Sequence, residues 1–168
     1  MIIITQYGYQ RKGRRIKILS YEDSCCPICG GHLKVHGTCI RKAWMLAGDH
    51  SDVIQVEYSL RILECTHCGK THRELPNELV PYKRYSLSLI CEEVEDQNYA
   101  CDTSTMLRLK LWLNWFICYA QAILNKLVFE GVYFRTDFTG KSLADKLAHF
   151  VRVVVNSGFW ITASFGHD

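Results

Sequence analysis

Two short stretches limit what this chain of 168 residues can fold into: Cys26-Pro27-Ile28-Cys29-Gly30-Gly31 and Cys65-Thr66-His67-Cys68-Gly69-Lys70. Each is a pair of cysteines two residues apart, followed by glycine, and 35 residues lie between Cys29 and Cys65. Two residues between thiolates let one tight turn aim both sulfurs at a single ion. The glycine relieves crowding where the backbone turns back. Two such turns supply four thiolates, so Cys26, Cys29, Cys65 and Cys68 are the expected ligands of one structural Zn²⁺. A redox Cys-x-x-Cys opens a helix after a strand, whereas here a glycine and a strand-like stretch follow each pair. A catalytic zinc keeps one position open for water. Four thiolates close the shell, which makes the ion a staple for a small domain. Cys25 is an alternative to Cys26 at a poorer spacing, and His67 or His72 would serve in a mixed site. Cys39, Cys91, Cys101 and Cys118 have no metal spacing and read as small buried hydrophobes.

The rest of the composition is that of a globular protein, 48% hydrophobic and 22% charged, which excludes a disordered or low-complexity scaffold. Nine cysteines are too few for a secreted disulfide framework of this length. The longest uncharged runs, Leu111–Asn125 and Val153–His167, fall short of the roughly 20 residues that a membrane span needs. No basic stretch precedes the apolar Ile2-Ile3-Ile4, so the expectation is a cytoplasmic, bacterial-type protein with no membrane partner. Charge is uneven: residues 1–84 hold 13 Lys and Arg against 8 Asp and Glu, and residues 85–168 hold 7 against 9. Attraction for a polyanion therefore belongs to the first half.

Met1–Gln6 and Arg15–Ser20 read as strands joined by the basic turn Arg11-Lys12-Gly13-Arg14, and Leu33–Thr38 as a short strand. Ala43–Ser51 is polar, with a turn signal at Gly48-Asp49-His50. Val53–Cys65 alternates polar and apolar residues, as a long half-buried strand does, and delivers Cys65 to the metal. Pro76 and Pro81 bracket a linker-like segment. Ser86 caps a helix to about Gln97, a turn follows at Asn98–Thr103, and Asp102 or Thr103 caps a second helix over about 104–127. Lys141–Val155 makes a third, and an aromatic tail, 156–168, ends the chain. The expected fold class is α+β: an N-terminal zinc-ribbon β domain over 1–76, then an all-α helix-turn-helix-like region over 77–168.

A helix, a short turn and a second capped helix is the spacing of a DNA-reading helix-turn-helix. On that reading Thr103, Ser104, Thr105, Arg108 and Lys110 start the recognition helix and enter the major groove. Arg11, Lys12, Arg14, Arg15, Arg41 and Lys42 neutralise phosphates. The apolar Met106, Leu109 and Leu113 hold the helix to Leu87, Ile90 and Val94.

Three segments, Cys26–Gly31, Arg61–Pro76 (R-x-L-x-C-x-x-C-G-K-T-H-R-x-L-P) and Pro81–Tyr85, resemble a family of bacterial zinc-ribbon proteins found with mobile-element transposases. Asp102-Thr-Ser-Thr-Met-Leu-Arg-Leu-Lys-Leu-Trp is similar to the helix signature that follows the ribbon there, with Arg108 and Trp112 offset from the usual pairing. The resemblance covers about residues 20–120. It implies a zinc-stabilised, non-catalytic accessory or regulatory protein of a mobile element, with double-stranded DNA as partner. No widely spaced acidic set, Walker A, G-x-S-x-G or H-E-x-x-H motif points to an enzyme. The rival reading is a zinc-stapled interaction module whose aromatic C-terminal third docks a second copy or a transposase-type protein.

Overall fold

The computed structural model describes residues 1–47, 52–95 and 101–160. The turn signal at Gly48-Asp49-His50, residues 98–100 of the expected interhelical turn, and the tail beyond Trp160 lie outside the described residues. Six strands come first in the chain: β1 (Ile2–Ile4), β2 (Tyr7–Lys12), β3 (Arg15–Ser20), β4 (Leu33–Leu46), β5 (Val53–Cys65) and β6 (Thr71–Pro76). Three helices follow: α1 (Leu87–Val94), α2 (Thr103–Phe129) and α3 (Leu143–Asn156).

β5 organises the sheet. Along one edge it pairs antiparallel with β4 for its whole length, from Val53↔Leu46 to Cys65↔Leu33. The other edge is shared: β3 runs parallel to Glu57–Ser59, and β6 runs antiparallel to Ile62–Glu64. β2 extends the sheet beyond β3, and β1 runs parallel to β6. Tyr58 and Leu60 of β5 are fully buried, as the alternating pattern requires.

Residues 77–168 do not form the all-α helix-turn-helix region expected from the sequence. The sheet is mixed and carries the helices on it. α1 has eight residues, five of them buried (Leu87, Leu89, Ile90, Cys91 and Glu93), and only Ser88 is exposed. α2 runs for 27 residues and buries a stripe from Thr105 to Leu127. A recognition helix needs an exposed reading face set on a compact helical support. α2 packs on α3 and on α1, and these two rest on the sheet, α3 on β1 and α1 on β4, so the helices are not a separate all-α unit. Two capped helices in sequence do not reveal what they pack against.

The helix caps are as the side chains suggest. Ser86, Asp102 and Ser142 each accept the backbone N–H of the third residue on. One apolar core runs from Ile2 through Tyr58 and Leu79 to Leu113 and Val155. The segment between β6 and α1 is tied to β4: the Trp44 N–H donates to the Arg84 carbonyl, and the Ser86 N–H donates to the Trp44 carbonyl, both at 2.7 Å. The edge of β1 away from β6 is closed by a side chain. Asn156 accepts from the Ile3 N–H at 2.8 Å and donates to the Ile3 carbonyl at 2.9 Å.

Candidate metal centre

The two Cys-x-x-Cys-Gly stretches fold as copies of one turn. In the first, the Gly30 N–H donates to the Cys26 carbonyl (2.8 Å) and the Cys26 N–H to the Gly31 carbonyl (2.9 Å). In the second, the Gly69 N–H donates to the Cys65 carbonyl (3.0 Å) and the Cys65 N–H to the Lys70 carbonyl (2.9 Å). Gly30 and Gly69 have φ of 70° and 68°, the left-handed region that glycine enters without strain. The Thr66 N–H and hydroxyl both donate to the His32 carbonyl, which joins the turns.

The four sulfurs converge, all within 4.8 Å of one another. Cys26 to Cys68 is 3.7 Å and Cys29 to Cys65 is 3.5 Å. Four thiolates on one tetrahedral ion with a bond of about 2.3 Å stand about 3.8 Å apart, so the set fits a single metal. Gly31 is packed tightly against the second turn: a Cβ there would lie 2.9 Å from the Cys65 sulfur and 2.8 Å from the His67 Cβ. Any side chain on Gly31 would push into the cradle. Cys26 and Cys65 are buried and Cys29 is exposed, so the centre sits at the surface with one side to the core.

Backbone donors favour thiolate. The Cys68 N–H points at the Cys65 sulfur (3.5 Å) and, against the effect of burial, helps to draw its pKa down to about 6. For Cys29 the Gly31 N–H acts in the same sense, but local desolvation and the neighbouring sulfurs outweigh it and push the thiol up to about 12. A bound cation would remove that competition. Cys25 is exposed and stays outside the cluster. His67 and His72 also stay outside it. His72 instead places Nε2 3.3 Å from the Cys26 sulfur, as an outer partner of a ligand. Burial, then the charge of the Met1 amino group, keeps the imidazole below its usual range.

The centre joins the rest of the chain through residues far from the cysteines in sequence or outside their motif. Gly158, just past α3, lies so close to the first turn that a Cβ there would be 2.8 Å from the Pro27 carbonyl oxygen. Glu74 of β6 is almost fully buried and accepts two hydrogen bonds from Arg61, at 2.7 and 2.8 Å.

The expected DNA contacts fall into three groups. Residues opposite one another across a ladder share a face, so Lys12, Arg15, Glu57 and Lys42 form one row across four strands. The three cations are exposed, as are Lys17 on the same face and Arg14 at the hairpin turn. Glu57 is shared by Arg15 (3.0 Å) and Lys42 (3.7 Å). Arg11 lies on the opposite face of the hairpin and donates to the Gly13 carbonyl. Arg41 turns inward, donates to the Val80 and Lys83 carbonyls, and is pushed down to about 10 by burial. The third group starts α2. There the Asp102 carboxylate takes the Ser104 hydroxyl and the Thr105 hydroxyl and N–H, and Arg108 donates to the Thr105 hydroxyl. Thr105 is buried; Thr103, Ser104 and Arg108 are exposed, and Lys110 is half-buried.

A family model described as a domain of unknown function, DUF6431, matches residues 26–109, half of the chain. The chain belongs to the DUF6431 family. The DUF6431 span opens on the first metal turn, holds all four thiols and the sheet from β4 to β6, and ends inside α2 at Leu109. No curated protein and no solved structure matches the chain. Among the described residues, no helix is long and apolar enough to cross a membrane.

Proposed function

We propose that this DUF6431 protein is a zinc-stapled, non-catalytic protein that binds double-stranded DNA, in an accessory or regulatory role to a mobile element. The observation that carries the DNA reading is the exposed sheet face on which Lys12, Arg15, Lys17 and Lys42 stand against the single carboxylate of Glu57. With strands about 4.8 Å apart, the row from Lys12 to Lys42 spans about 14 Å. Such a surface attracts phosphates in register and releases counterions on contact. The metal is zinc on the chemistry of its donors: four thiolates at tetrahedral separations and no position left for water or substrate. The mobile-element role rests on the sequence resemblance of the metal turns and of 61–76.

The test is binding of the metal-loaded full chain to a labelled duplex across a range of salt, with metal analysis of the same sample. One zinc per chain is expected, without the visible colour of an iron–sulfur centre. Replacing Lys12, Arg15 and Lys42 together by alanine should lower the slope of log affinity against log salt by about 2 to 3, roughly one per lost phosphate contact. Arg108→Ala should leave that slope unchanged. Duplex binding without salt dependence, or an unchanged slope in the triple variant, defeats the proposal.

A further inference from the structure

α2 has two apolar faces, and among the described residues the chain's own core uses one, through Leu109, Leu113, Phe116, Ala120, Leu124 and Leu127. Across the helix, Leu111, Trp115, Cys118, Ala122, Asn125 and Phe129 are all exposed. Leu111 is 62% exposed and Phe129 is 92%. Their spacings alternate between four and three residues, the heptad rhythm that keeps one seam facing another helix. A face turned to water alone is normally charged, yet this helix carries no charge from Leu111 to Asn125.

We propose that this seam is covered by a second copy of the chain, with the two α2 helices antiparallel. The small Cys118 and Ala122 lie at the middle of the seam and let the backbones approach. A two-fold axis between them sets Leu111 against the partner's Phe129 and Trp115 against the partner's Asn125. Charge selects the direction. In an antiparallel pair the same flank of each helix meets. Arg108 and Glu130, 22 residues apart, lie on the same flank at about 100° per residue. Arg108 then stands beside the partner's Glu130. A parallel pair would bring it towards the partner's Lys110, a like charge. The dimer does not depend on the DNA reading, although it would carry two basic sheet faces.

Sedimentation equilibrium of the metal-loaded full chain tests this without DNA. The expected result is a dimer that becomes a monomer on Leu111→Glu with Ala122→Glu, at unchanged helix and metal content. Arg108→Glu should weaken dimerisation roughly three- to tenfold, and adding Glu130→Arg should restore it. A monomer at every concentration overturns the proposal, as does a folded Leu111→Glu, Ala122→Glu chain that still dimerises, or a double charge swap no better than Arg108→Glu. If the seam variant fails to fold, the charge-swap pair decides, because both of its positions are exposed.

Discussion

Gly31 shows how little room the metal cradle has. Its missing side chain is replaced by the Cys65 sulfur of the other turn, so Gly31→Ala is expected to lower metal affinity about 10- to 100-fold, the scale of an outer-shell change. Competition with a chromophoric chelator measures it, and an unchanged affinity would mean that the turn relaxes freely. The pair Arg61–Glu74 carries a second expectation. Arg61→Ala strands a carboxylate inside the protein and should cost about 3–5 kcal/mol in chemical denaturation. Arg61→Met with Glu74→Leu should recover most of that, since a matched apolar pair leaves no uncompensated charge. The four thiols were legible in the sequence because the chemistry of Cys-x-x-Cys-Gly is local. The roles of Gly31, His72 and Glu74 were not, because each is set by a residue at least 13 positions away: Cys65, Cys26 and Arg61.

Among the elements, β5 was readable from its alternation, and α1 and α2 from their caps. β6 was not: its inward positions include His72 and Glu74, so its polarity hides the burial of this strand. The length of β4 is hidden for the same reason, since Arg41 points inward where an apolar residue is expected. β2, exposed along Tyr9–Lys12, gave no burial pattern at all. α2 and its contact with α1 follow from the sequence, but its larger contact, with α3, does not, because apolar periodicity says that a face is buried and not what buries it. Its packing gives a contrast to measure. Leu109, 1% exposed, should cost about 2–5 kcal/mol on change to alanine. Leu107, 57% exposed, should cost no more than about 0.5 kcal/mol.

On the scale of the molecule, Glu22 draws the start of the chain and α3 together. It accepts from the Thr5 and Gln6 N–H groups and the Thr5 hydroxyl, and Arg152 of α3 approaches it at 3.2 Å. Burial raises this carboxyl's pKa, but the donors and the guanidinium outweigh it and leave it below the ordinary value. A depressed acid stabilises the fold above the ordinary carboxylate range, and the gain is lost as pH falls through the lowered value. The thermal stability lost on Glu22→Gln should therefore be largest near neutrality and shrink below about pH 4.5, in melts of both chains at each pH. A gap independent of pH would remove Glu22 from the acid response.

The side-chain amide of Asn156 on Ile3 has a consequence for synthesis. The two residues lie 153 positions apart. β1 leaves the ribosome long before its partners, and waits for β6 to give it a neighbour and for the end of α3 to close its free edge. Until then Ile2, Ile3 and Ile4, all nearly fully buried in the finished protein, stand open to other nascent chains. A message that stops short of α3 would release a product in which these three isoleucines stay uncovered along that edge.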